Sequence, residues 1–591
     1  MARRTVGVIL TLLGVALLAS VVGMGMLYWV TTRGPSVPSH AVLTLSIGGD
    51  LPEVAPADVF GYLRGASVPT LRSVVDNLRK AAADRRVAAV LIKPAGFSSP
   101  YWGKVQEIRD ALVAFRKSGK PLYAYLEYGG DREYFLATAA NKVFLSPSSP
   151  LDVTGVATYA VFLRGTLDKI GAYPDLQHIG DYKTASNQFT EKAYTAAHRE
   201  MDASLGRDLF EQIVGVIAEG RGKTEADVRR LVDEGPFLPD AALSAGLIDE
   251  VAYEDEVLDA LHEAVPDANG HEIDGDDYTQ VSLTSLGLNR GPRIAVIHAS
   301  GAIASGEGGF DPLSGMAIGS DTLVEYIREA REDRSIRAIV LRIDSPGGSA
   351  AASDAVWREL IVTRDERADR PLVASMSDLA ASGGYYLAMP AKTIVAQPAT
   401  LTGSIGIYGG KFVTGGVYEK LGARIESTSI GKHAEMNSPA RPYNADEGAK
   451  LREQLQDFYD QFVQKVAESR GASREKIDRI SQGRVWTGRQ AKEHGLVDAL
   501  GGLDHAVMLA KEQAGIPADS DVTLVMYPPR RSLYEILTTE FSGEARSASF
   551  ARWLAANVSS AELDVLRAVR GPSAFFRRGE PLALMPFSFI R

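Results

Sequence analysis

The chain has 591 residues with 64 basic and 74 acidic side chains, for a formal charge of −10. Hydrophobic residues at 45% and charged residues at 23% are ordinary for a multi-domain globular protein and exclude a disordered or fibrous chain, and the acidic balance argues against a nucleic-acid binder. There is no cysteine, which excludes a disulfide scaffold, a thiol nucleophile and a zinc–thiolate site.

In chain order, the first element is a run of 28 uncharged residues from Thr5 to Thr32. A helix needs about 20 such residues to cross a bilayer, whereas the apolar centre of a cleavable signal is shorter, about 7–15 residues. Arg3 and Arg4 precede the run and favour a cytoplasmic N-terminus. The expectation is one transmembrane anchor over 5–32. It leaves the bulk of the chain outside the cytoplasmic membrane, on the periplasmic or other extracytoplasmic side. A signal cleaved near Ala19-Ser20 is the competing reading.

The chain then repeats itself. Val87-Ala-Ala-Val-Leu-Ile matches Ile336-Arg-Ala-Ile-Val-Leu, and Pro121-Leu-Tyr-Ala matches Pro371-Leu-Val-Ala. Tyr134-Phe-Leu-Ala matches Tyr385-Tyr-Leu-Ala, Lys169-Ile-Gly-Ala matches Lys420-Leu-Gly-Ala, and Ala245-Gly-Leu-Ile-Asp matches His494-Gly-Leu-Val-Asp. The offset stays between 249 and 251, so one domain has been duplicated. Residues 40–265 form the first copy, 266–291 a polar linker and 292–515 the second copy. Runs such as Ile294–His298, Ala338–Ile343 and Leu372–Ser375 read as buried strands. Leu323–Glu332 and Ala352–Arg364 read as helices between them, which implies crossover units and mostly parallel sheets. Residues 520–591 fall outside both copies, with a helix expected near Ser547–Ala568 and an apolar end at Leu582–Ile590. The sequence leaves open whether that tail packs on the second repeat, on a partner or near lipid.

Two glycine-rich turns follow strands in the second copy: Asp344-Ser-Pro-Gly-Gly-Ser349 and Ala380-Ala-Ser-Gly-Gly-Tyr385. Glycines free backbone N–H groups to face a ligand oxygen, and a helix start adds partial positive charge. Small neighbours leave Ser382 room to meet a substrate carbonyl, with the Gly383 N–H beside it as one oxyanion donor. A single Gly-Gly turn is ordinarily just a turn. Two at corresponding strand ends of one domain are more specific.

These turns, with Leu401-Thr-Gly-Ser-Ile-Gly-Ile407, Val485-Trp-Thr-Gly488 and Gly495-Leu-Val-Asp498, resemble the long, two-repeat bacterial form of the signal peptide peptidase A family. The resemblance covers about 40–515. It implies tandem α/β domains of the Clp-protease/crotonase superfold behind the N-terminal transmembrane helix. The implied activity is a membrane-anchored Ser/Lys endopeptidase that degrades released signal peptides and other unfolded apolar peptides. It further implies a homo-tetramer, and neither metal nor cofactor. Carried onto this chain, it makes Ser382 the nucleophile and Lys183, in Asp181-Tyr-Lys-Thr-Ala185, the general base. Ser404 orients the lysine, and the N–H groups of Gly348 and Gly383 form the oxyanion site. Thr184 stands where some members have serine.

The repeat itself supports a shared site. A shift of 251 takes Ser382 to Asp131 and Lys183 to Ala434, so each copy lacks what the other keeps. A crotonase-like acyl-CoA enzyme and a non-catalytic scaffold are the alternatives. An external domain argues against the first, and the intact Ser382, Lys183 and glycine turns argue against the second. His298, His433 and His494 have no acidic partner at a recognisable spacing, and Asp378 is the one carboxylate near the nucleophile that could turn toward a substrate.

Overall fold

The computed structural model describes residues 37–55, 68–266, 270–311, 315–529, 581–586 and 589–590, with five isolated positions between 14 and 23. Apart from those five positions the expected anchor over 5–32 lies outside the described residues, as does the helix expected near Ser547–Ala568. Among the described residues no helix is long and apolar enough to cross a membrane.

Each repeat builds a parallel sheet. In the first, the strand order is Glu272–Asp274, Ala41–Gly49, Val87–Phe97, Leu122–Leu126, Lys142–Leu145 and Glu250–Val251. The second runs Val485–Thr487, Leu401–Gly403, Leu372–Ala381, Ile336–Ser345, Arg293–Ser300 and Thr523–Tyr527, and Thr393–Ala396 also pairs with Leu372–Ala381. All of these pairings are parallel except Val485–Thr487 on Leu401–Gly403. The central strands are largely apolar and buried because helices cover both faces; Leu372–Ala381 is buried at every position.

The copies also match in their helices. Ala196–Arg221 and Ala445–Arg470 both have 26 residues. The first is capped by Thr195 on the His198 N–H and the second by Asn444 on the Glu447 N–H. Each ends at a left-handed glycine, Gly222 or Gly471.

Two segments extend the repeat beyond its expected limits. Glu272–Asp274, inside the stretch read as a linker, pairs with Ala41–Gly49, and Thr523–Tyr527, placed in the tail by sequence, pairs with Arg293–Ser300. Both are short edge strands whose sequences do not resemble each other, so no pattern match tied them to the repeat.

A third sheet joins the copies. Its order is Gly309–Asp311, Gly315–Gly319, Ala302–Ala304, Gly347–Ser349, Leu582–Leu584, Ile407–Val413 and Tyr173–Ile179. Tyr173–Ile179 belongs to the first repeat by sequence, yet it lies antiparallel on Ile407–Val413 of the second from Val413↔Tyr173 to Ile407↔Ile179. The cores are shared as well: Leu379, Ala381, Leu401 and Val485 pack into the hydrophobic cluster of the first repeat.

Candidate active site

The cross-repeat register sets the site. Lys183 follows Ile179 by four residues and Ser404 precedes Ile407 by three, so pairing Ile179 with Ile407 brings the two loops together. The loops are then stitched through 482–484. The Tyr182 N–H donates to the Gln482 carbonyl at 2.9 Å, the Gly483 N–H to that of Ile405 at 2.8 Å and the Ser404 N–H to that of Arg484 at 2.7 Å. Gly483 has φ +79°, and a Cβ there would stand 2.5 Å from the Lys183 backbone. Only glycine meets both demands.

Ser382 sits between the fully buried strand Leu372–Ala381 and the short helix Gly383–Ala388. Its backbone is strained, with φ 55° and ψ −112°. Such a conformation persists only where surrounding bonds hold it. Here the Ser382 N–H donates to the Gly403 carbonyl at 2.8 Å, and the Tyr386 N–H donates to the Ser382 carbonyl at 2.9 Å.

The structure brings Lys183, Ser382 and Ser404 into contact within one chain. Lys183 Nζ lies 2.7 Å from Ser382 Oγ, 3.0 Å from the Ser404 carbonyl oxygen and 3.1 Å from Ser404 Oγ. All three residues are 0% exposed, and among the described residues Lys183 forms no ion pair. Burial without a compensating carboxylate holds the amine well below the ordinary lysine pKa.

The two glycine turns meet beside Ser382. A Cβ on Gly347 would stand 2.8 Å from the Gly383 nitrogen, and one on Gly348 would stand 2.1 Å from the Ile303 carbonyl oxygen. The Gly347–Ser349 strand and the first residue of the Gly383–Ala388 helix are therefore in van der Waals contact, with no room for a side chain between them. This arrangement can offer two backbone N–H groups to one oxygen.

A buried charge network that the sequence did not reveal also joins the two repeats. Buried Arg342 bonds Glu53 at 2.7 and 3.1 Å, Glu107 at 2.8 Å, Ser375 at 2.9 Å and Ser377 at 3.1 Å. Burial alone would raise the Glu53 carboxyl, but Arg342, helped by Lys104 and His298, brings it below the usual carboxylate range. His298, for which spacing offered no acidic partner, has Glu53 3.8 Å from its Nδ1. Burial lowers its pKa to about 4. Asp378 is engaged by residues of the first repeat. Its carboxylate accepts the Lys104 backbone N–H at 2.9 Å and the Ser99 hydroxyl at 3.1 Å, with Lys104 Nζ 3.7 Å away and bonded to Asp344 at 2.8 Å. These partners come from segments distant in sequence, and no local motif marks them.

The corresponding positions of the first copy are occupied differently. Asp131 opens the helix Asp131–Ala137 as Ser382 precedes its own, and its carboxylate accepts the N–H groups of Thr154 and Gly155 at 3.3 and 3.4 Å. Burial raises its pKa to about 6. Ala434, the counterpart of Lys183, is exposed.

A duplicated α/β fold in which one copy holds a buried serine and the other a buried, unpaired lysine against it defines a class of serine hydrolase. Comparison with known proteins places the chain within that class. The model of peptidase family S49 matches twice, over residues 114–266 and 364–517. The chain is 38% identical over 510 residues to the chloroplastic serine protease SPPA of Arabidopsis thaliana, covering 85% of this chain and 73% of that one. It is 34% identical over 457 residues to protease 4 of Salmonella typhi, covering 75% and 72%. Against protease 4 of Haemophilus influenzae the identity is 28% over 521 residues, covering 83% and 82%. The chain belongs to peptidase family S49, and it is a serine peptidase.

Proposed function

We propose that this peptidase works through Ser382 as nucleophile and neutral Lys183 as general base, and that it hydrolyses released signal peptides and other unfolded, apolar peptides. The observation that carries the chemistry is the 2.7 Å contact between Lys183 Nζ and Ser382 Oγ in a site with no water-exposed surface on either residue. A serine hydroxyl is a weak nucleophile until a base removes its proton, and a lysine can be that base only when uncharged.

Ser382 Oγ attacks the peptide carbonyl carbon while its proton passes to Lys183 Nζ. The carbonyl oxygen becomes an oxyanion held by the Gly348 and Gly383 N–H groups. Collapse breaks the C–N bond, and the leaving amine takes the proton from Lys183. A water molecule then gives a proton to Lys183 and attacks the ester, and the acid product leaves as the Ser382 hydroxyl is restored. Ser404, through its carbonyl and hydroxyl oxygens, keeps the amine aimed at Ser382.

For the cellular setting, the uncharged Thr5–Thr32 run supports a single-pass anchor in the cytoplasmic membrane with the catalytic repeats on the extracytoplasmic side. Signal peptides are released beside that membrane. The resemblance drawn from the glycine turns supports assembly as a homo-tetramer. The test is labelling with an alkyl fluorophosphonate. One adduct on Ser382, lost in Ser382→Ala together with peptide hydrolysis, is the expected result. An acyl-CoA enzyme or an inert scaffold would leave Ser382 unlabelled.

A further inference from the structure

Asp344 opens the first glycine turn, and the peptidase chemistry alone gives it no task. The pairing of the two central strands shows where it acts. Leu372–Ala381 follows Ile336–Ser345 residue for residue from Ile339↔Leu372 to Ile343↔Met376, and the next pair is Ser345↔Ala380. One residue, Asp344, therefore stands opposite three, Ser377, Asp378 and Leu379. Such a bulge bends a strand and re-aims the side chains beyond it. Here the strand also changes neighbour. Val373–Met376 pairs with Thr393–Ala396, whereas Leu379–Ala381 pairs with Leu401–Gly403.

The Asp344 carboxylate spans the bulge. Its Oδ1 accepts the Leu379 N–H at 3.2 Å, and its Oδ2 lies 2.8 Å from Lys104 Nζ. Lys104 belongs to the first repeat, in the first turn of the helix Gly103–Arg116. The start of that helix abuts the bulge so closely that a Cβ on Gly103 would stand 2.7 Å from the Ser377 carbonyl oxygen. The Lys104 N–H also donates to Asp378 at 2.9 Å, so one residue ties down both carboxylates. Burial alone would lower the Lys104 amine, but Asp344 and Asp378 hold it above the ordinary lysine range, and it stays charged. Leu379 precedes Ser382 by three residues, and Asp344 precedes Gly348 by four. One hydrogen bond thus joins the strand that carries the nucleophile to the turn that carries an oxyanion donor. The packing beyond it has no slack, since a Cβ on Gly384 would stand 2.7 Å from the Ser345 carbonyl oxygen. The repeat points the same way. The offset of 249 that takes Ile336 to Val87 takes Asp344 to Ala95, so the copy without the nucleophile also lacks this carboxylate.

We propose that Asp344 is a positioning residue for peptide hydrolysis: its carboxylate, held by Lys104 of the first repeat, fixes the bulge and with it the placement of Ser382 against the Gly348 N–H. The proposal rests on the assignment of Ser382 as nucleophile. Asp344 acts through Leu379 on Ser382 and through its own chain on Gly348. When the carboxylate is displaced, the oxyanion loses its fit, while an extended peptide still binds through backbone bonds. The effect therefore falls on kcat and spares KM. A misplacement of about 1 Å at a reacting centre costs about a hundredfold in rate.

The experiment uses the full chain with three substitutions. Asp344→Glu keeps a charge for Lys104 but moves the acceptor one methylene away from Leu379. Asp344→Asn keeps the acceptor at its native reach without the charge. Asp344→Ala has neither and leaves Lys104 facing Asp378. Exhaustive fluorophosphonate labelling counts the competent Ser382 in each preparation, and kcat for an apolar peptide is taken per labelled serine. Asp344→Ala and Asp344→Glu should lower that kcat about ten- to a hundredfold with KM unchanged. Asp344→Asn should recover most of the loss while melting at a lower temperature. The acid limb of the pH profile should stay in place in all three, because Lys183 is untouched. An unchanged kcat per labelled serine in Asp344→Ala and Asp344→Glu would leave Asp344 as an ion-pair partner only and overturn the proposal. An Asp344→Asn as slow as Asp344→Ala would overturn it too, and so would a displaced acid limb, which would trace the loss to Lys183. Failure of all three variants to fold would make Asp344 a folding residue and likewise overturn it. If the wild type takes no label at Ser382, the nucleophile assignment fails instead.

Discussion

Ser404→Ala separates positioning from chemistry. Lys183 Nζ has three oxygen neighbours, Ser382 Oγ at 2.7 Å, the Ser404 carbonyl at 3.0 Å and Ser404 Oγ at 3.1 Å. The substitution removes only the last of these, because the carbonyl belongs to the backbone. One neutral hydrogen bond contributes about 0.5–1.5 kcal/mol, and each 1.4 kcal/mol on a barrier is about a factor of ten in rate. The expected loss in kcat is therefore about two- to twelvefold, with KM unchanged. The acid limb of the pH profile should move by no more than about one unit, since one unit corresponds to about 1.4 kcal/mol. Steady-state hydrolysis of an apolar fluorogenic peptide measures all three quantities. A loss of three orders of magnitude would mean that the hydroxyl itself relays the proton, and an unchanged kcat would mean that it does not hold the amine. Either result refutes the positioning role.

Other substitutions test the surroundings. Gly483→Ala should abolish activity, because the new methyl would meet the Lys183 backbone at 2.5 Å, whereas Gly422→Ala, also at positive φ but with nothing within 4 Å, should cost only the backbone strain, about 1–2 kcal/mol of stability. Equal effects in activity assays and denaturant melts would show that the close approach is irrelevant. Arg342→Met strands the Glu53 and Glu107 carboxylates in the interior and should lower unfolding free energy by about 3–5 kcal/mol. Adding Glu53→Gln and Glu107→Gln should recover part of it, and purely additive losses would dissolve the network. Among substrates, a hydrophobic signal-peptide sequence should be cut faster than a basic peptide or a folded globular protein, because Asp378 is engaged by Lys104 and Ser99; a strict requirement for a basic residue at the cut would overturn that preference.

What the sequence disclosed was local or periodic. The repeat offset, the apolar strands and the two glycine turns could be read directly because strands and turns write themselves into neighbouring residues. The complementary positions Asp131 and Ala434 pointed to a site shared between copies. They could not show that Tyr173–Ile179 leaves its own repeat to pair with Ile407–Val413, since antiparallel pairing between distant strands carries no signature in either one. The Arg342–Glu53–Glu107 network was hidden for the same reason, its members lying far apart in the chain. The edge strands Glu272–Asp274 and Thr523–Tyr527 were missed because short edges need little hydrophobic pattern. Leu582–Ile590 was visible as apolar, but only the structure shows that part of it lies in the sheet beside Ser382.

The central claim is that Lys183 is neutral and acts as the base. Burial lowers its pKa, so the amine should be protonated and inactive at low pH and become active as the pH rises through that lowered value, below the ordinary lysine range. The most direct measurement is the rate of fluorophosphonate labelling at Ser382 against pH, in wild type and in Lys183→Arg. The account predicts a single rising ionisation in wild type and no labelling in Lys183→Arg at any pH, because arginine stays charged. Labelling of Lys183→Arg at the wild-type rate, or a wild-type rate that falls as the pH rises toward the ordinary lysine range, would contradict it.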